Sequence, residues 1–136
     1  MALRYLLDTN AASEPYKLTA SASFMRRLAK HEGQVALSAP TWYELQRGLE
    51  CLPAGRRKQA LRESFLALRA RLPILPYEAR AAEWHGREEA RLRARGKTPP
   101  PLDGQIAAVA WVNDLTLVTA NLKDFRAFDG LVLERW

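Results

Sequence analysis

Short apolar stretches alternate with longer segments of helical period along the whole chain, and this alternation constrains the fold more than any other feature. Residues 3–7, 35–37, 74–75, 116–119 and 131–133 read as brief strands, apolar enough to be buried on both faces of a sheet. The segments 20–32, 41–49, 56–71, 77–95 and a small-residue run from Leu102 read as helices. Phe24, Met25 and Leu28 share one face of the first, away from Arg26, Arg27 and Lys30. In 56–71, Leu61 through Leu68 and on to Leu72 repeat as an inward stripe. Gly33 stops one helix, Pro53 and Gly55 punctuate, and GKTPPP at 96–101 is a loop. Strands alternating with helices predict an α/β domain with a mostly parallel sheet. A chain of 136 residues predicts one domain over 1–136, with a single core.

The first strand ends on LLDTN, delivering the carboxylate of Asp8 to its tip. Alone, such an aspartate caps a turn or the next helix. Other acids occupy comparable positions. Asn121 and Asp124 follow the fourth strand in LVTANLKDF, Asp103 opens the small-residue helix, and Glu44 lies in the rather apolar PTWYELQRGL. Open parallel sheets place their sites at the carboxyl ends of the strands, so these acids are expected at one edge. Crowded carboxylates raise each other's pKa and need a cation, and a hard ion such as Mg²⁺ or Mn²⁺ suits oxygen donors.

The rest of the chain is basic. Lys and Arg number 21 against 15 acids, a net charge of +6, and Arg suits phosphate and stacking contacts better than Lys. An acidic pocket in a basic domain is the charge layout of a nuclease. Cys51 is the one cysteine, which fits a reducing cytoplasm and reads as a buried filler. His31 and His85 make no metal-ligand spacing and read as surface residues. No apolar stretch approaches the roughly 18–20 residues of a membrane span, and no secretion signal opens the chain.

LLDTN, PTWYELQRG, PPLDGQIAAVA and LVTANLKDF, in this order, resemble PIN-domain ribonucleases, most closely the VapC-type toxins of toxin–antitoxin pairs. The resemblance implies a central parallel sheet of four to five strands flanked by helices. It implies that Asp8, Glu44 and Asp103 bind the metal, with Thr9, Asn10 and Thr119 shaping the pocket. Many relatives carry Asp where this chain has Asn121 and keep a second one at the place of Asp124. An amide is a weaker ligand, which leaves open whether Asn121 or Asp124 completes the site and how many metals bind. The resemblance further implies a homodimer, a cognate antitoxin and an RNA substrate cut at a single-stranded loop. Arg47, Lys97 and Arg126 are the candidate RNA contacts.

Two alternatives belong to other classes. One is a PIN fold that binds RNA without cutting it, having lost a carboxylate at Asn121. The other is a phosphoryl-accepting signalling domain, for which Lys123 makes a superficial case. That domain has no use for Glu44 and needs its acceptor at the end of a middle strand. An aspartate-nucleophile phosphatase would need Asp at position 10, where the chain has Asn10.

Overall fold

In the computed structural model, which describes residues 2–136, five short strands form one parallel sheet. They are β1 (Tyr5–Leu7), β2 (Val35–Ser38), β3 (Ile74–Leu75), β4 (Thr116–Val118) and β5 (Leu133–Glu134), in the order β3-β2-β1-β4-β5. The connections contain α1 (Thr9–Ser13), α2 (Ala22–Lys30), α3 (Ala39–Glu50), α4 (Arg56–Arg71), α5 (Ala79–Arg93), α6 (Pro101–Val112) and α7 (Leu122–Phe125). A 3₁₀ turn over Glu14–Tyr16 follows α1.

Strand periodicity sorts the core into two layers. Leu6, Ala36 and Leu117 face Trp84 and Leu92 of α5 and Ile106 of α6. Tyr5, Leu7, Leu37 and Val118 face Phe24 of α2, Leu45 of α3 and Phe65 of α4. Burying each large apolar side chain contributes about 1.5–3 kcal/mol, so both faces exclude polar groups. Polarity therefore begins where each central strand stops. Asp8, Ser38 and Thr119 follow or end β1, β2 and β4, and each is buried yet bonded to the backbone that comes next.

The chain begins at the centre of the sheet, walks out through β2 and β3, then crosses back to lay β4 on the other side of β1. The direction of travel reverses between β1 and β4, which opens a crevice at their carboxyl ends. Asp8 thus does end a middle strand, so strand position does not set aside the signalling-domain alternative; Glu44 still does.

Several expectations change. Met25 is exposed, because α2 turns only Phe24 and Leu28 inward. Cys51 is exposed at the end of α3, not buried. His31 is half-buried, stacked 5.4 Å from Trp136 and tilted against Tyr5 at 4.6 Å. His85 is half-buried too, with Nδ1 2.8 Å from the Tyr77 hydroxyl. Pro101 begins α6 instead of ending the loop, which suits a residue whose missing N–H costs nothing in a first helical turn. Strand β5 starts at Leu133, two residues later than expected.

Candidate active site

Asp8 is 4% exposed and held by two donors. Its Oδ1 accepts the Ala11 N–H at 2.8 Å as the N-cap of α1, and its Oδ2 accepts the Thr119 hydroxyl at 2.6 Å. Thr119 in turn accepts the Asn121 N–H at 2.9 Å, so one hydroxyl ties the ends of β1 and β4 to the entrance of α7. Burial pushes the Asp8 carboxyl above its usual range, and the Glu44 charge adds to that; the bonds from Thr119 and Ala11 pull the other way.

Glu44 reaches the same place from α3. Its Oε1 accepts the Thr9 hydroxyl at 2.5 Å, while Arg47 approaches Oε2 at 3.7 Å from the rim. Asp103, in the first turn of α6, is half-buried, and its carboxyl is pushed up to about 6. Burial is the main cause, followed by the charges of Asp124, Glu44 and Asp8. Asp8, Thr9, Asn10, Glu44, Asp103 and Asn121 line a cavity of about 120 Å³, floored by Ile106 and Phe125. No Lys, Arg or His lines it.

Asn121 and Asp124 separate here. Asn121 lines the cavity, whereas Asp124 is exposed inside α7 and lies outside the lining. Asp124 acts on the site through its field, as the strongest charge influence on Asp103. It makes no side-chain cap for α7. Phe125, which went unnoticed in the sequence, sits one turn after Asn121; that four-residue spacing was the available signal.

The donors fit a hard divalent cation. The acids offer only oxygens, no basic side chain lines the cavity, and Arg47 meets Glu44 only from the rim. Burial with three neighbouring carboxylates raises the Asp103 carboxyl to about 6. Among the described residues, no three Asp, Glu, His or Cys side chains are gathered tightly enough to form a finished cage. The acids stand around a space instead, an arrangement compatible with Mg²⁺, which keeps several waters.

This fold and cavity have counterparts. The PIN domain family matches residues 5–131. The chain is 33% identical over 134 residues to the tRNA(fMet)-specific endonuclease VapC of Shigella flexneri, covering 98% of each. The structure of VapBC2 from Rickettsia felis, bound to a DNA fragment from its promoter, superposes with a TM-score of 0.86 at 26% identity, covering 100% of this chain and 99% of that one. VapBC-5 from Mycobacterium tuberculosis, a member of the VapBC family of toxin–antitoxin systems, matches with a TM-score of 0.66 at 26% identity over 98% and 96%. The chain belongs to the PIN-domain family, and within it to the VapC-type proteins.

Proposed function

We propose that this protein is the toxin of a type II toxin–antitoxin pair: an endoribonuclease that hydrolyses RNA phosphodiester bonds with Mg²⁺ or Mn²⁺ and is inhibited by a cognate VapB-like antitoxin. The observation that carries this reading is the all-oxygen acidic cavity at the β1–β4 crevice of a chain with a net charge of +6. The VapC relatives named as endonucleases, and those solved as VapBC assemblies, support it.

Asp8, Glu44 and Asp103 would hold the ion, with the Asn121 amide as a neutral oxygen donor. When bound, the ion supplies Lewis-acid chemistry, making water a usable nucleophile near neutral pH and drawing charge from a phosphoryl oxygen. Thr119 and the Ala11 N–H fix the orientation of the Asp8 carboxylate, and Thr9 fixes that of Glu44. Preset ligands avoid reorganisation while charge builds on the phosphate. Ile106 and Phe125 give the cavity an apolar floor, which strengthens each charge interaction above it.

Asp8→Asn tests the reading, since it removes charge with little change of shape. The variant is expected to keep its fold and to lose RNA cleavage in Mg²⁺, together with growth arrest on expression. Wild-type cleavage by Asp8→Asn would overturn the site. Asn121 favours one other reading, an RNA-binding PIN fold without nuclease activity. A wild-type protein that binds total RNA yet leaves it whole in both Mg²⁺ and Mn²⁺ would establish that reading instead.

A further inference from the structure

A second cavity, of about 300 Å³, opens on the other side of Asn10, between the 3₁₀ turn, α2 and the end of β4. Asn10 lines both cavities, and Thr119, which holds Asp8, forms part of the second wall. The interior is apolar, built from Phe24, Val118 and Trp136, and the rim is polar, built from Asn10, Glu14 and Lys17. The apolar wall is set in advance. Trp136 donates its indole N–H to Glu134 at 2.9 Å and packs against His31, Tyr5 and Phe24.

A phosphate does not suit this place. Glu14 faces the cavity with its carboxyl held below the usual range, by a hydrogen bond from Lys17 and then by the Ser21 N–H, so Lys17 is already neutralised. An aliphatic side chain would use the wall and leave the rim idle. A flat ring with donors and acceptors around its edge uses both. The volume sits at the low end of the roughly 300–1,000 Å³ of small-molecule pockets, room for one ring system and not for a longer ligand.

We propose that this cavity receives one unstacked RNA base from a nucleotide flanking the scissile phosphate, with Phe24 and Trp136 against the ring and Asn10 and Lys17 at its edge. Single-stranded RNA is read in this way, by aromatic contact and edge hydrogen bonds. The assignment rests on the endoribonuclease reading of the acidic cavity, and it gives that reaction a base preference.

Ala120 is exposed at the mouth of the cavity, so Ala120→Phe fills it without entering the core. The probe is a short single-stranded RNA, selected from a random pool as one that wild type cuts at a single position. It is prepared intact and with an abasic ribose at each position flanking the cut. Cleavage is measured with Mg²⁺, and binding with Asp8→Asn as the background. Ala120→Phe is expected to cost about 10- to 100-fold in cleavage and binding, the scale of one lost base stack, with melting temperature and Mn²⁺ binding unchanged. One abasic position should cost wild type a similar factor and cost Ala120→Phe nothing more. Wild-type cleavage by Ala120→Phe, or an abasic penalty undiminished in it, would overturn the proposal. So would intact RNA cleavage combined with lost inhibition by a co-expressed antitoxin, which would assign the cavity to a peptide. If wild type binds the pool without cutting any member of it, the endoribonuclease reading fails, and an abasic scan of the tightest-bound member with wild type and Ala120→Phe still decides the base site. If it neither binds nor cuts RNA, both fall.

Discussion

Asp8 carries three duties at once: it follows a buried strand, caps α1 and accepts the hydroxyl of Thr119. The ordinary capping role and the functional one are therefore not rivals, because the cap fixes the carboxylate that faces the cavity. LLDTN made that acid legible in the sequence. What it did not reveal is how Asn121 and Asp124 divide their work, since the residue before a four-residue helix and one three positions later were both free to face the site. Two predictions belong at this scale. The Asp103 carboxyl, raised to about 6, keeps its proton to a higher pH when folded than when unfolded. The folded state is therefore relatively favoured at low pH, and that advantage is lost as pH rises from about 4 to about 6. In chelator, the wild-type melting temperature should fall relative to that of Asp103→Asn across this window, and Mn²⁺ should restore it above pH 6. Identical pH profiles for the two proteins would refute the shift. The second prediction separates lining from field. Asn121→Asp adds a carboxylate to the cavity wall and should tighten Mn²⁺ binding several-fold, whereas Asp124→Asn should mainly lower the pKa of Asp103, measured by carbon-detected NMR titration.

At the scale of elements, the long periodic segments were legible and the short ones were not. The helix expected over 56–71 is the one found, because sixteen residues give a period time to show. The five residues of α1 span less than two turns, and the adjoining 3₁₀ turn less still, so neither left a pattern. The packing of α6 on α5 was also hidden, because it depends on an absent side chain. A Cβ on Gly104 would clash with the edge of the His85 ring, 2.6 Å from Cδ2 and closer to Nε2. Helix propensity favours Gly→Ala by about 1 kcal/mol, yet overpacking a close contact costs about 1–3 kcal/mol. Gly104→Ala is therefore expected to destabilise the protein and, by moving the turn that carries Asp103, to weaken Mn²⁺ binding. His85→Ala placed on top should recover most of both losses. A more stable Gly104→Ala, by urea denaturation, would show that propensity wins.

Across the whole molecule, Asp8, Glu44 and Asp103 gather in one crevice while basic side chains spread over the surface, where Arg47, Lys97 and Arg126 are all exposed. RNA held by phosphate contacts releases counterions, with a slope of about −0.7 per contact for a single strand on a log–log salt plot. RNA affinity of Asp8→Asn should therefore fall steeply with KCl, and Arg126→Gln should flatten the slope by about one contact. Salt-independent binding would refute an electrostatic surface. The topology has a consequence of a different kind. Asp8 and Thr119 are 111 positions apart, and β1 lies between a strand made early and one made late. A nascent chain still being translated, with its first hundred residues outside the ribosome, has neither Asp103 nor the hydroxyl that anchors Asp8. The cutting centre therefore cannot assemble on an emerging chain until β4 and Thr119 have cleared the ribosome.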